Sequence, residues 1–243
     1  MQYSWDLWIF LKPSVSGEGA YWLLLARGLG WTLLLSTVCW LAGLCLAVVV
    51  GVARTLPQRW LRWPAQAYIH VFRNIPLLVQ VFLWYYVVPE LLPQAWGDAI
   101  KRSDPTFSAF ATLVVALSLY TAAKAAELLR SGIEAVPRGQ LAAARSLGLG
   151  TAQAYRHVLL PQAVRIALPP LTSDFLNVFK NSAVALTIGL LELTGRSRQM
   201  SEFSAQPFEA FLAATLVYMA ITLAVMQGMR RLERRLAVPG FGG

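Results

Sequence analysis

The sequence predicts an all-α membrane protein with five spanning helices. Apolar residues make up 57% of the 243-residue chain and charged residues only 14%, whereas soluble proteins carry about half apolar and about a quarter charged residues. The mean hydropathy is +0.53. At about 20 residues per spanning helix, this length leaves no room for a separate soluble domain of ordinary size. We therefore expect one transmembrane domain over residues 1–243.

Five apolar stretches are long enough to cross a hydrocarbon core of about 30 Å. A shorter stretch before them, Tyr21 to Leu29, is interrupted by Arg27 and could be an interfacial helix continuous with the first span. The N-terminal segment lacks the pattern of a removable signal peptide, so we expect the first span to be retained. The predicted spans are Trp31 to Ala53, Ala65 to Val88, Phe107 to Leu129, Ile166 to Leu190 and Phe208 to Met229.

Basic residues cluster on one side of this five-span arrangement. Short loops rich in Lys and Arg stay on the cytoplasmic side of a membrane, so we predict that the N-terminus lies outside and the C-terminus inside. The net charge of +9 then reflects topology and contact with anionic lipid, and gives no evidence for nucleic acid binding. The arginines behind this orientation are Arg54, Arg59, Arg62, Arg130, Arg138, Arg145, Arg156, Arg165, Arg230, Arg231, Arg234 and Arg235.

The longest loop on the predicted cytoplasmic side runs from about residue 132 to 165 and has a helical pattern. In AVPRGQLAAARSLGLG an alanine-rich run precedes Gly148 and Gly150, where a helix should end. In TAQAYRHVLLP a second helical run begins with Thr151 as a candidate N-cap and should end near Pro161. Two short helices joined by a glycine turn outside the bilayer indicate a docking surface for a partner protein.

This loop resembles the membrane subunits of bacterial ABC importers, which carry the pattern EAA, three residues, Gly, nine residues, Ile, any residue, Leu-Pro. The spacing fits throughout, with Val158 in the place of the isoleucine. The family's leading Glu is Ala142 here, so its ion pair to the ATPase would be absent or supplied by a residue such as Glu134 or Arg145. The resemblance assigns ATPase coupling to Gly139, Ala142, Ala143, Ala144, Arg145, Gly148, Val158, Leu160 and Pro161.

The resemblance covers most of the chain and narrows to the importers of polar amino acids. RGLGWTLLLS, FRNIPLLVQVFLWYY and YTAAKAAELLRSGIEAVPRGQ are similar to that branch, and KNSAVALTIGL with Lys124 is most similar to the glutamate/aspartate permeases. It implies the five-helix type I importer fold, a bacterial inner (plasma) membrane location and alternating access driven by ATP hydrolysis elsewhere. Implied partners are an ATPase dimer, a second permease subunit, homologous or identical, and an external solute-binding protein. A permease for glutamine or a basic amino acid is the alternative.

The sequence offers no catalytic constellation of its own. The phosphate-binding pattern G-x-x-x-x-G-K-[ST] is absent, and none of the four lysines follows a glycine. His70 and His157 lie apart from any Cys or carboxylate cluster, so we expect no metal site. ATP and Mg²⁺ should bind a separate ATPase chain, and this chain should hold no cofactor. A secondary transporter usually needs more spans or an internal repeat, and fits less well.

Charged residues inside the predicted spans mark a substrate path or a paired structural site, because an unpaired charge in a bilayer costs several kcal/mol. Thr121, Lys124 and Glu127 follow one another by one helical turn, so Glu127 could neutralise Lys124. Alternatively, Lys124 faces the pathway and meets a carboxylate of an anionic amino acid, or its side chain reaches the interface.

The fourth span carries a polar stripe that should face water or a partner subunit. The doublet Pro169-Pro170 near its start should bend or interrupt the helix. In the second span, Arg73 and Asn74 before Pro76 fit a kink or a lipid contact better than substrate binding. The residues predicted for the substrate pathway are Thr121, Lys124, Ser173, Asn177, Lys180 and Asn181.

Overall fold

The computed structural model describes residues 3–236 and folds most of them into helices, with no β-strand within that range. This confirms the predicted all-α class. The α-helices are α1 Tyr21–Thr55, α2 Arg59–Asn74, α3 Leu77–Phe82, α4 Val88–Leu91, α5 Gln94–Arg102, α6 Pro105–Ala135, α7 Arg138–Ser146, α8 Thr151–Ala154, α9 Leu160–Asn181, α10 Leu193–Ser204 and α11 Pro207–Leu236. Wide π-helical turns occupy Leu83–Val87 and Tyr155–Leu159, and 3₁₀ turns occupy Leu7–Leu11 and Ser182–Ile188.

Among the described residues, 3 helices are long and apolar enough to cross a membrane, and up to 5 spans result if each of two bent helix pairs forms one span. The three are α1, α6 and α11. The pairs are Arg59–Asn74 with Leu77–Leu91, and Thr151–Ile188 with Leu193–Ser204. Each predicted span falls in one of these helices or pairs. The count of five remains a prediction.

Helix α1 begins at Tyr21, so the short stretch before the first predicted span is continuous with that span. Arg27 is tolerated in this helix because it forms an ion pair with Glu18 at 2.8 Å and stays partly exposed. Leu24 and Leu35 on the same helix are fully buried. The apolar face therefore continues through the arginine position.

The second predicted span is not one continuous helix. Helix α2 ends at Asn74, and Ile75 has extended backbone angles of φ −91 and ψ 128. The residue before a proline is pushed out of the α region by the proline ring, and here Pro76 follows Ile75. The predicted span from Ala65 to Val88 is therefore broken at Ile75–Pro76, where the kink was expected.

The second loop helix does not end near Pro161, as the sequence had predicted. It passes from α8 through the wide turn Tyr155–Leu159 directly into α9. In that turn the N–H of Leu160 donates to the carbonyl of Tyr155, five residues back. The wide turn displaces the carbonyls that would clash with the Pro161 ring, so the helix tolerates the proline. Pro169 and Pro170 lie inside α9, so the helix is not interrupted at this doublet.

Two compact units divide the chain. The first comprises the residues up to Cys39, Leu77–Leu117 and Asn177–Ala224; the second comprises Trp40–Pro76, Ser118–Leu176 and the residues from Val225. The first unit has a buried cluster around Leu24, Leu193, Met200 and Ala210, and the second has one around Ile133, Val136, Leu159 and Ala163.

Small residues bring helices of the second unit together. A side chain at Gly51 would meet the Ala126 carbonyl oxygen at 2.9 Å, and one at Gly132 would meet the Ala163 carbonyl oxygen at 2.7 Å. Helices in membranes pack through such small residues, because close backbone approach replaces the missing hydrophobic drive between them. This packing brings α1 close to α6, and α6 close to α9.

Candidate functional site

Lys124 on α6 forms an ion pair with Asp174 on α9. The Lys124 ammonium lies 2.8 Å from Asp174 Oδ1, and it also stands 5.5 Å from the centre of the Tyr120 ring. Asp174 is 5% exposed, whereas the Lys124 side chain keeps 31% of its surface accessible. The pair is therefore buried on the carboxylate side and open on the ammonium side.

Glu127 is not the partner of Lys124, so the alternative in which the two residues neutralise each other within α6 is wrong. The Glu127 carboxylate accepts hydrogen bonds from Arg130 Nε at 2.9 Å and from Arg130 Nη2 at 2.6 Å. The forked guanidinium fits a carboxylate better than an ammonium does, which favours Arg130 as the partner of Glu127. Lys124 is left to pair across helices.

Thr121 is 2% exposed and lies where α1 and α6 touch. A side chain placed at Gly43 would come within 3.2 Å of the Thr121 Cβ. Thr121 lies one helical turn before Lys124, and its burial against another helix of the same chain makes it a packing residue. A role for it in the substrate pathway remains a prediction.

The polar stripe of the fourth span faces outward from its own chain. Ser173 and Lys180 are exposed, and Asn177 and Asn181 are half-buried. Ser173 belongs to the second unit, next to the inward-facing Asp174, and the other three belong to the first unit. Because these side chains are accessible, they are able to contact either water or a second subunit, the two contacts predicted from the sequence.

Helix α7 ends in a Schellman turn. The N–H of Leu149 donates to the Ala144 carbonyl at 3.1 Å, and the N–H of Gly148 donates to the Arg145 carbonyl at 2.9 Å. Gly148 has a φ of +79, the left-handed conformation that this turn requires and that glycine adopts without steric cost. The predicted helix end at this glycine is confirmed.

The next helix begins one residue earlier than predicted. Gly150 is the N-cap of α8, and Thr151 is its first helical residue. The Gly150 N–H donates to Gln153 Oε1 at 3.0 Å. The glutamine side chain satisfies an N–H at this terminus, so a threonine cap is not needed.

The loop helices have one face packed on the protein and one face exposed. Ala144, Ala154 and Leu159 are buried, and the Tyr155 hydroxyl donates to the Thr55 carbonyl at 3.1 Å, which fixes the loop to the end of α1. Leu147 is 81% exposed, although it is a large apolar residue. Of the residues that the resemblance assigns to coupling, Gly139, Ala142, Ala143, Arg145, Gly148 and Pro161 are exposed, whereas Val158 and Leu160 are half-buried.

A buried acidic residue that the sequence patterns did not indicate is Glu192. Its carboxylate accepts hydrogen bonds from the N–H groups of Thr194 and Gly195 at the start of α10, both at 2.9 Å, and from the Tyr218 hydroxyl at 2.7 Å. Thr32 donates to it from α1 at 3.3 Å. Helix N-caps favour Ser, Thr, Asp and Asn, so a glutamate gave no strong signal in the sequence.

Comparison with known proteins identifies the class of protein that this fold and these residues form. The family described as "Binding-protein-dependent transport system inner membrane component" matches residues 43–238. The chain belongs to this family and is a multi-pass inner membrane protein.

Particular relatives match most or all of the chain. The glutamate/aspartate import permease protein GltJ of Escherichia coli K12 is 39% identical over 244 residues, which is 100% of this chain and 99% of that protein. The probable glutamine ABC transporter permease protein GlnM of Bacillus subtilis is 36% identical over 205 residues, 84% of this chain and 89% of that protein. A crystal structure of an amino acid ABC transporter with histidines has a TM-score of 0.72 and 30% identity, and covers 88% of this chain and 95% of that chain.

Proposed function

We propose that this chain is the permease subunit of an ABC importer for amino acids, and that its substrates are glutamate and aspartate. The observation that carries the proposal is the 39% identity to a glutamate/aspartate permease along the full length of both proteins. The similarity to a permease of a probable glutamine transporter favours a second candidate, uptake of another polar amino acid.

The Lys124–Asp174 pair supports an anionic substrate. The buried Asp174 lies 2.8 Å from the Lys124 ammonium, so the cation does not stand alone at membrane depth, where a lone charge would be costly. The accessible side of the ammonium can attract a second carboxylate, and the low dielectric of the bilayer strengthens that attraction. A free acidic amino acid that reaches this point would therefore meet a charge that is already stabilised.

Coupling to ATP hydrolysis is proposed for the loop that contains α7 and α8. An ATPase dimer would dock on the exposed face that carries Ala142, Ala143 and Leu147, and would bind the ATP and Mg²⁺. Closure of that dimer would move the loop, and with it α9, which is continuous with α8. A second permease subunit and an external solute-binding protein would complete an importer that works by alternating access.

Transport by the assembled complex tests the substrate assignment. The chain would be purified with its ATPase and permease partners, reconstituted into vesicles, and assayed with labelled glutamate, aspartate, glutamine, arginine and cystine. We expect uptake of glutamate and aspartate that requires ATP and is abolished by an ATPase-inactive partner. Uptake of glutamine, arginine or cystine without uptake of the acidic amino acids would contradict the proposal.

A further inference from the structure

A polar cavity of about 290 Å³ lies in the second unit, where three helices carry charged side chains. Arg54 comes from the penultimate position of α1, Arg73 from the last turn of α2, and Glu127 from α6. The residues that line it are Arg54, Ile69, His70, Arg73, Asn74 and Glu127.

The cavity holds more positive charge than its own carboxylate can neutralise. Glu127 Oε1 already accepts both hydrogen bonds from Arg130. Among residues 3–236, neither Arg54 nor Arg73 has an ion-pair partner. Arg54 Nη1 and Glu127 Oε2 are both buried and have no hydrogen-bond partner in that part of the chain, so the arginine N–H is not satisfied by this carboxylate. A buried guanidinium N–H without an acceptor is costly, so an acceptor from outside the chain is expected there.

We propose that this cavity binds a phosphate oxyanion, which Arg54 and Arg73 hold from two sides. A guanidinium donates two parallel N–H groups, and their spacing matches the oxygens of a phosphate. Water could fill the volume, but Glu127, which already pairs with Arg130, would then be the one carboxylate facing two arginines in the cavity lining. The site is separate from the Lys124–Asp174 pair and does not depend on the identity of the transported substrate.

The position of the cavity favours the headgroup of an anionic phospholipid as the source of the phosphate. Arg54 lies where the long apolar helix α1 ends, which is the level of lipid headgroups when that helix spans a bilayer. Trp60 and Trp63 on α2 are 73% and 76% exposed, and exposed tryptophans collect at the membrane interface. Free inorganic phosphate has the same chemistry and is the alternative source.

Native mass spectrometry of the purified importer complex tests the site. After delipidation, phosphatidylglycerol would be added in detergent and its retention measured for the wild type and for Arg54→Gln/Arg73→Gln. The expected result is at least about tenfold weaker retention in the double variant, because two charge-assisted contacts are lost. The matched control is Arg59→Gln/Arg62→Gln, which removes two exposed charges near the same interface outside the cavity and should retain the lipid.

A second variant covers the case in which the double variant does not fold. Asn74→Asp places a carboxylate at an exposed lining position and should also weaken lipid retention. An excess of inorganic phosphate distinguishes the two sources: lipid that resists displacement identifies a headgroup site, and displaced lipid identifies a site for free phosphate. Retention that is unchanged in the cavity variants, equally reduced in the control, or displaced only by glutamate would overturn the proposal.

Discussion

Lys124 and Asp174 each stabilise the charge of the other in a largely apolar chain. Removing one member of such a pair leaves the other as an uncompensated charge, whereas removing both leaves two neutral side chains of similar size. The partly exposed Lys124 can turn toward water, but the 5% exposed Asp174 cannot. The two residues should therefore respond differently to substitution.

Lys124→Met should destabilise the complex by about 1–3 kcal/mol, because Asp174 is left buried without its partner. Lys124→Met/Asp174→Asn should restore the yield and the melting temperature. If Lys124 also meets the substrate, uptake of labelled glutamate stays at least about tenfold lower in the double variant. Yield, melting temperature and uptake measured on the same preparations separate these two roles.

The matched control for this experiment is Lys124→Met/Glu127→Gln. Glu127 keeps its bonds to Arg130 in the structure, so its neutralisation should not restore the yield. Rescue by Glu127→Gln in place of Asp174→Asn would contradict the observed pairing. Full recovery of uptake in Lys124→Met/Asp174→Asn would leave Lys124 with a structural role alone.

Glu18 should make stability dependent on acid pH. The Arg196 guanidinium at 3.0 Å, together with Arg27, lowers the pKa of the Glu18 carboxyl below its ordinary value of 4.5. A lowered folded pKa gives stability that is present above about pH 4.5 and is lost as the pH falls through the folded pKa. Glu18→Gln should therefore lower the melting temperature at pH 7, and the difference should disappear in strong acid.

Thermal unfolding of the purified protein between pH 7 and pH 3 measures this difference. The exposed pair Arg198–Glu202 provides the control, since Glu202→Gln should change the melting temperature little at any pH. A difference between the wild type and Glu18→Gln that stays constant down to pH 3 would exclude an electrostatic origin.

The turn between α7 and α8 contains two glycines. Gly148 has a backbone conformation that favours glycine, whereas Gly150 has one that any residue adopts. Gly148→Ala puts a side chain at φ +79, which should cost about 1–2 kcal/mol of local stability although no neighbouring atom lies within 4 Å. Displacement of α7 should then weaken recruitment of the ATPase while membrane insertion stays normal. Co-purification of the ATPase with the permease provides the measurement.

Gly150→Ala is the control in the same turn. Gly150 has φ −65 and ψ 163, which any residue adopts, and an added Cβ would meet only Gln153 Oε1 at 3.7 Å. It should bind the ATPase as the wild type does. Equal loss in both variants, or no loss in either, would speak against the strained turn as the cause.

Local patterns predicted helix ends better than they predicted continuity or partners. The end of α7 could be predicted because a residue with left-handed backbone angles at a helix end is usually glycine. The continuation of α8 into α9 could not be predicted, because Pro161 suggests a helix end and no residue pattern in this stretch indicates a wide turn. The Lys124–Asp174 pair was hidden for a similar reason: residues 50 positions apart meet only once α6 and α9 are packed, so spacing along one helix suggested Glu127.

The apolar segments and their flanking charges define the arrangement of the whole chain in the membrane. The extent of the spans follows from composition, and three helices confirm it directly. Orientation follows only from the distribution of Lys and Arg, since a set of helices without a bilayer has no inside or outside. The predicted external N-terminus therefore calls for a chemical test.

Single cysteines at Ser103 or Ser201 should react with an impermeant thiol reagent added to intact cells, and one at Gln153 should not. The background would be Cys39→Ser/Cys45→Ser, because a chain without its two native cysteines attributes all labelling to the introduced cysteine. All three positions should react after permeabilisation, which controls for accessibility. The reverse pattern in intact cells would place the C-terminus outside.

The wide turn Tyr155–Leu159 fixes which side of α8 faces outward. A helix advances by about 100° per residue, and a turn whose hydrogen bonds reach five residues back holds one residue more than an α-turn. The side chains of Thr151–Ala154 are therefore rotated about the helix axis by about 100°, compared with their positions in a continuous α-helix that runs into α9. Because Ala154 is buried and Gln153 is exposed in this register, loss of a single residue from the turn would present a different face of α8, even with every side chain in it unchanged.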